Sequence, residues 1–421
     1  MYLYGNYRIS VFGQYISNPG MVRRSQYSAL EEQLLLLCTT TRLGDAEVEC
    51  ARALTEQGHD WEHFVRLALA HGVGGIVYKN LSRHFSAAVP AGIMAHLKRY
   101  AIVNTQSNMS LLKELHEIHR LLSDNHIRHA VFKGLIINQL IYHDFSIRRC
   151  GDIDLLVGVQ DFPRAKALFL SQGFQQTLPD SEEALYLQSG LWHEGRRLKV
   201  DLHWGIPPQE LGIRADALMA NLAAVSLDGG DAPSFIPEDM LIVLCVNAVK
   251  EYWNQMLYTY CDIHEFLESD IQLNWELLFK RAKVLRCIRP LKVALNVVKE
   301  LYGMPVPDGI VKKIELEGPV ESVKNELINS LFDSDARDMN ELRLNPRYVL
   351  SHRDYLSALM DGGLTRFRYR YLMHLEPTAS DTKVLNLPDS LYFLYYFIRP
   401  VRVTGKYGLR ALYWLAGRRF D

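Results

Sequence analysis

The chain has no run of apolar residues long enough to cross a bilayer and no basic-then-apolar leader near its start, so it reads as a cytoplasmic protein with no transmembrane segment. Its six cysteines, Cys38, Cys50, Cys150, Cys245, Cys261 and Cys287, are scattered and form no C-x-x-C pair. That spacing excludes a zinc ribbon or a thioredoxin-type motif and suits reduced thiols. Net charge is missing too: 47 Lys and Arg against 48 Asp and Glu leave −1. No global field draws the chain to a polyanion, so a small molecule or peptide partner is favoured over nucleic acid, which would need a locally basic face. Internal repeats and low-complexity linkers are absent as well. The glycine cluster His71-Gly-Val-Gly-Gly75 has no strand before it and no Lys-Ser/Thr after it. It is a helix–turn–helix joint rather than a phosphate loop.

What is present is a chain of 421 residues, 48% of them hydrophobic, enough for two or three domains with ample core. The expected class is α+β, a small mixed β-sheet flanked by helical regions. The expected division is an irregular tail (1–27), a helical region (28–125), an α+β core (126–230), a helical domain (231–330) and a helical, basic C-terminal region (331–421). Residues 1–20 show no clear period, and Met21-Val-Arg-Arg also reads as a start. Leu30, Leu34, Leu35 and Leu37 share a helical face. Ile93 to Asp124 reads as one long amphipathic helix, with Leu97, Leu111, Leu115, Ile118 and Leu122 recurring at three and four.

The core is organised around one stretch. Arg128-His-Ala-Val-Phe132 is a short β-prone run, followed by Lys133-Gly134 and then Leu135, Ile136, Gln139 and Leu140 at helical spacing. Strand, tight turn and helix bring a glycine and a lysine to a place where a phosphate can meet backbone N–H groups; an ordinary βα turn has the same pattern. Next comes Arg148-Arg-Cys-Gly-Asp-Ile-Asp-Leu-Leu-Val157, a strand entered from a glycine turn. Alternation points Asp152 and Asp154 the same way. Two adjacent carboxylates repel and resist desolvation, and a hard divalent cation relieves both problems; a solvated strand mouth is the alternative.

Asp161, with Pro163 behind it, is a candidate N-cap for a helix that Gly173 stops. Gly190 to Trp204 then reads as a hairpin turning at Glu194-Gly195, with Ile206-Pro-Pro208 closing the core. Its second strand carries Asp201 between Val200 and Leu202, with His203 on the same face. A carboxylate among such neighbours calls for a partner. His203 fits a site residue or a structural histidine beside Trp204 equally well.

In order, Lys-Gly, Arg, Gly-Asp-Ile-Asp-Leu-Leu-Val, a helix ending Gly173-Phe174, and Val-Asp-Leu-His-Trp resemble the uncharacterised nucleotidyltransferase family of the polymerase-β-like superfamily. The resemblance implies that Asp152, Asp154 and Asp201 are catalytic and hold two Mg²⁺ ions, with Mn²⁺ as a substitute. It also implies a nucleoside triphosphate co-substrate, ATP being expected, from which a nucleotidyl group passes to an acceptor hydroxyl. Lys133, Gly134, Arg148, Arg149, Gly151 and His203 are the expected nucleotide-binding positions. The superfamily turn is usually Gly-Gly or Gly-Ser, and Lys133-Gly134 departs from it; Asn247 stands where relatives tend to carry histidine. Three other readings use the same residues: a phosphotransferase, a toxin-like transferase acting on tRNA, peptide or protein, and a non-catalytic nucleotide-binding module.

Beyond the core, Pro237 to Glu268 reads as strongly helical, and Tyr252, Trp253, Tyr258 and Tyr260 fit either base stacking or core packing. Asp262 and His264 are expected on its exposed face. Residues 313–344 read as surface helix. Arg366, Arg368 and Arg370 alternate with Phe367 and Tyr369, and Leu391 to Ile398 is an aromatic block followed by basic residues. That block suits a C-terminal helix packed on the body or a docking surface.

Overall fold

The computed structural model describes residues 30–179, 183, 186–250, 256–303, 307–332, 346–372, 387–403 and 405. They belong to two compact units that divide between Phe332 and Asp333.

The first unit opens with helices α1 (Leu30–Leu37), α2 (Asp45–Thr55), α3 (Trp61–Ala70), α4 (Gly74–His84) and α5 (Ala91–Asp124). α1 is buried from Gln33 to Leu37. Asp60 caps α3 by accepting the His63 N–H at 2.8 Å, which satisfies one of the orphan donors at the helix start. α5 has 34 residues, a rod of about 50 Å. Its buried stripe runs Leu97, Ala101, Asn104, Asn108, Leu112, Leu115, Ile118 and Leu122, apolar except for two asparagines.

Five strands form the central sheet: β1 (His129–Val131), β2 (Ile153–Val157), β3 (Gln175–Gln176), β4 (Gln188–His193) and β5 (Leu198–His203), in the order β1-β2-β5-β4-β3. β2 and β5 run parallel, with Asp154 opposite Asp201; the other pairings are antiparallel. Between β1 and β2 lie the short helix α6 (Gly134–Ile137) and a π-helical turn (Asn138–Tyr142). α7 (Phe162–Ser171) follows β2. Asp161 takes the N-cap position of α7 without a capping bond, its carboxylate receiving Arg164 at 2.9 Å instead. The β4–β5 hairpin turns through Glu194 to Arg197, and Arg197, not Gly195, takes the positive φ.

The core does not close at Pro208. It continues through β6 (Gly205–Ile206), β7 (Ile213–Arg214), α8 (Ala215–Met219) and the hairpin of β8 (Leu222–Leu227) with β9 (Gly230–Phe235). Leu227 pairs with Gly230, so the hairpin loop is Asp228-Gly229, with the positive φ carried by Gly229. The Ser234 hydroxyl donates to the Val131 carbonyl at 2.6 Å and ties this hairpin to β1.

The expected helix from Pro237 to Glu268 is two helices, α9 (Pro237–Val249) and α10 (Leu257–Glu268). α11 (Trp275–Val284), α12 (Ile288–Tyr302), α13 (Asp308–Val311) and α14 (Pro319–Ser330) complete the unit. Asp262 and His264 on α10 are buried, contrary to the expected exposed face. Asp262 is held by Arg148 and Tyr142, and His264 stacks on Tyr302 with centroids 4.4 Å apart. All three partners come from distant sequence, which is why the local pattern misplaced Asp262 and His264.

The second unit contains α15 (Pro346–Leu359), α16 (Gly363–Phe367), a π-helical turn (Arg368–Leu372), a 3-10 turn (Asp389–Leu394) and α17 (Tyr395–Val403). Helical backbone spreads the alternating arginines around the axis instead of aligning them on one face. Arg366 donates to the Met360 carbonyl at 3.1 Å, and Arg370 pairs with Asp354 at 3.1 Å. Among the described residues, no helix is long and apolar enough to cross a membrane.

The glycine cluster at residues 72–75 forms the α3–α4 joint, as its pattern predicts, and also makes a close packing contact. A Cβ at Gly75 would run into the backbone carbonyls of Ser146 and Ile147. Gly75→Ala is therefore expected to destabilise the protein by about 1–3 kcal/mol. Gly92→Ala, in α5 where a Cβ meets no atom within 4 Å, should instead stabilise it by about 0.5–1 kcal/mol. Denaturant midpoints of the two variants against wild type check the opposite signs.

Candidate nucleotide-binding site

The loop between the π-helical turn and β2 carries Arg148, Arg149, Cys150 and Gly151, and its carbonyls are gripped by buried asparagines. Asn104 donates to Ser146 O, and Asn108 to Phe145 O and Arg148 O, all at 2.8 Å. Asn138 also donates to Arg148 O at 2.8 Å, while the Cys150 N–H returns to Asn108 Oδ1 at 3.1 Å. A loop with its polar groups satisfied by side chains from two helices stays rigid although it has no regular structure. It delivers Asp152 to the mouth of β2 in one position.

A cavity of about 520 Å³ opens at this point. The loop, the β1–α6 turn, β2 and β5 line it with Lys133, Gly134, Arg148, Arg149, Gly151, Asp152, Asp154, Asp201 and His203, which brings all the expected site residues around one space. The volume lies within the range of small-molecule pockets.

The three carboxylates are held differently. Asp154 is flanked by two basic groups: the neutral His203 ring donates from Nε2 to Oδ1 at 3.0 Å, and Lys133 Nζ lies 3.6 Å from the same oxygen. Burial alone would raise the Asp154 pKa, but Lys133 and the His203 bond outweigh it and hold the carboxyl well below its usual range. Asp152 goes the other way. Burial, then repulsion from Asp154, raises its pKa, and Lys199 only partly offsets them. Asp201 is buried, with Gly190 opposite it on β4 and Asp154 opposite it on β2. Its Oδ1 is buried without a hydrogen-bond partner. Burial lowers the pKa of His203, against the pull of Asp154, and leaves the ring uncharged near neutrality.

Sequence reasoning stopped one alternation short on β5. Lys199 shares the face of Asp201 and His203, and its Nζ sits 3.0 Å from Asp152 Oδ2 and 2.8 Å from Asp201 Oδ2. The same two-residue period that singled out Asp201 and His203 would have found it. Asn247 and Lys250 at the end of α9, with Tyr100, Tyr186, Gln188 and Met256, also reach the cavity; they lie too far apart in sequence to be grouped by spacing. Tyr258 lines the cavity with the Arg148 guanidinium 5.0 Å from its ring centre, whereas Tyr260 is core. Tyr252 and Trp253 fall outside the described residues.

The cations divide into two kinds. Arg148 is buried, and its Nε donates to Asp262 Oδ2 at 2.7 Å. Tyr142 donates to the other oxygen of that carboxylate at 2.9 Å. Arg149 is exposed at the mouth, and Lys133 and Lys250 both bear on Asp154. Cys150 is buried, and burial pushes its thiol up to about 11, which makes it an unreactive packing group. None of the six cysteines forms a disulfide.

Among the described residues, no three or more His, Cys, Asp or Glu side chains converge as a ready metal cage. Lys199 and His203 hold the carboxylate oxygens instead. The donor chemistry still suits a hard divalent cation, with three carboxylates around one cavity and a buried, unpartnered oxygen on Asp201.

Residues 57–303, more than half of the chain and the whole of this site, match the sequence profile of a family described as "Uncharacterised nucleotidyltransferase". The chain belongs to this family. Membership supports a general role in nucleotidyl transfer and, with it, a nucleotide substrate. Among solved structures, the chain is similar to an antigenic nucleotidyltransferase-like protein from Paracoccidioides brasiliensis. The identity is 16% and the TM-score 0.33, over 50% of this chain and 92% of that one. No curated protein matches the chain in sequence.

The β1–α6 turn has an unusual backbone. Lys133 sits at φ 58° and ψ −149°, beside a region that side chains other than glycine rarely enter. The turn therefore has a glycine-like shape with a lysine in it. Such a conformation costs about 1–3 kcal/mol. Lys133→Gly is accordingly expected to be more stable than Lys133→Ala by about that amount, the reverse of the usual order of the two residues. Both variants lack the ammonium, so only the backbone differs. Thermal melts that rank the alanine variant equal or higher would remove the strain argument.

Proposed function

We propose that this protein transfers a nucleotidyl group from a nucleoside triphosphate, ATP being the first candidate, to a hydroxyl-bearing acceptor, with a divalent cation. The observation that carries the reading is the pairing of β2 with β5. It sets Asp154 beside Asp201, with Asp152 one alternation away, in a cavity whose other walls carry Lys133, Arg149 and Lys250. Carboxylates and basic side chains lining one space of this size suit a polyphosphate that arrives with its own counter-ion.

Asp152, Asp154 and Asp201 would hold Mg²⁺, with Mn²⁺ able to substitute; when bound, the ion offsets phosphate charge and polarises the reacting oxygens. The chain's own groups do the rest. Lys133, buried against the Phe132 ring at 4.8 Å and 3.6 Å from Asp154, is a fixed positive charge for the phosphates. Arg149 at the mouth can grip a phosphate with two parallel bonds, because its guanidinium stays at the surface. Arg148, committed to Asp262, acts mainly through the shape of the loop. His203 orients Asp154.

In the reaction, the acceptor oxygen bonds to the α-phosphorus as the bond from that phosphorus to the bridging β-phosphate oxygen breaks. Pyrophosphate leaves with that electron pair. The acceptor's proton passes to a carboxylate, and Asp201 is the candidate to receive it. A small molecule or peptide acceptor fits the neutral overall charge.

Calorimetric titration of nucleoside triphosphates with and without Mg²⁺ tests the site. Asp152→Asn and Asp154→Asn should weaken Mg²⁺-dependent binding at least about tenfold, or about 1.4 kcal/mol, with circular dichroism unchanged. Undiminished binding in both variants would remove the metal assignment. Lys133→Ala should weaken triphosphate much more than monophosphate, and an equal loss for both would take Lys133 out of the phosphate grip. Product mass with a candidate acceptor then separates nucleotidyl from phosphoryl transfer.

A further inference from the structure

Resting on the nucleotidyl-transfer reading, we propose that Lys199 is a built-in second cation of this site. Its ammonium stays between Asp152 and Asp201 when nucleotide binds, so the pocket takes one divalent ion rather than two. Three observations carry the inference. Lys199 rises from β5 on the same face as Asp201, two residues before it, so the strand itself aims the side chain at the carboxylates. Its Nζ makes two short charge-assisted contacts, 3.0 Å to Asp152 Oδ2 and 2.8 Å to Asp201 Oδ2, one oxygen from each acid. A divalent ion bridging those same two oxygens would need them at about 2.1 Å, the position the ammonium already fills.

The carboxylates are thus shared out. Lys199 takes one oxygen each from Asp152 and Asp201, while Lys133 and His203 bear on Asp154. What is left for a metal is the second oxygen of Asp152, the Asp154 carboxylate and the buried, unpartnered Oδ1 of Asp201. That set suits one hard cation completed by substrate phosphates and water, which is how magnesium is usually bound. The lysine is anchored by two acids and sits on a rigid strand in the centre of the sheet, so leaving its place would expose both carboxylates to each other.

Native mass spectrometry of the full chain with a non-hydrolysable α,β-methylene ATP analogue and Mn²⁺ counts the ions directly. Wild type and Lys199→Arg should carry one Mn²⁺ per bound nucleotide, and Lys199→Met should carry two. Lys199→Gln provides the same charge removal if the methionine variant does not fold, and circular dichroism checks both. Two ions in the wild type would overturn the inference while leaving the metal-site reading intact. One ion in the charge-removed variants would also overturn it, since the count would then not depend on the lysine. Absence of any manganese–nucleotide complex in wild type and variants alike would take down both the inference and the reading on which it rests.

Discussion

Two like charges forced side by side set the problem that the rest of the unit solves. Parallel pairing of β2 and β5 places Asp154 opposite Asp201, and the alternation of β2 adds Asp152 on the same side. Carboxylates that close in a half-buried place repel each other and lose hydration. Each is relieved by its own means: Asp154 by Lys133 and His203, Asp152 and Asp201 by the shared Lys199, and Asp201 sterically by the glycine opposite it. The compensation is incomplete, because one oxygen of Asp201 remains unpartnered. A site in this condition favours any ligand that brings positive charge.

The strained Lys133 belongs to the same logic. A lysine placed there gains an ammonium against Asp154 at the cost of a backbone conformation that glycine tolerates better. Arg148 shows a different solution, since its partner Asp262 comes from α10 and its guanidinium lies over Tyr258. Lys133 lies in the β1–α6 turn and Arg148 in the loop before β2, and both line the cavity, yet the first bears on Asp154 and the second ties its loop to α10.

Much of the core was readable because its signals are local. The Asp152-Ile153-Asp154 alternation, the hairpin bearing Asp201 and the long amphipathic helix all follow from periods of two or of three and four, which the chain obeys in those segments. Where the reading failed, the cause was a partner far away in sequence. Asp262 and His264 looked solvated because Arg148, Tyr142 and Tyr302 are invisible from the α10 segment. The β8–β9 hairpin was missed for a different reason: Pro207-Pro208 suggested an ending, and the Asp228-Gly229 signal beyond it was passed over. Lys199 was overlooked although its period was correct, because a lysine on a strand next to a turn ordinarily reads as solvated.

The asparagines in the buried stripe of α5 have one more consequence. Asn104 and Asn108 lie in a helix that sequence alone assigns to a separate region, yet their amides hold the carbonyls of the very loop that presents Asp152. Gly75, in the first turn of α4, admits that loop's backbone at contact distance. The helical layer is therefore the mould in which the acidic strand is cast, not an appendage to a free-standing catalytic module. Any minimal fragment cut at the start of β1 would keep all three aspartates and lose the order that makes them a site.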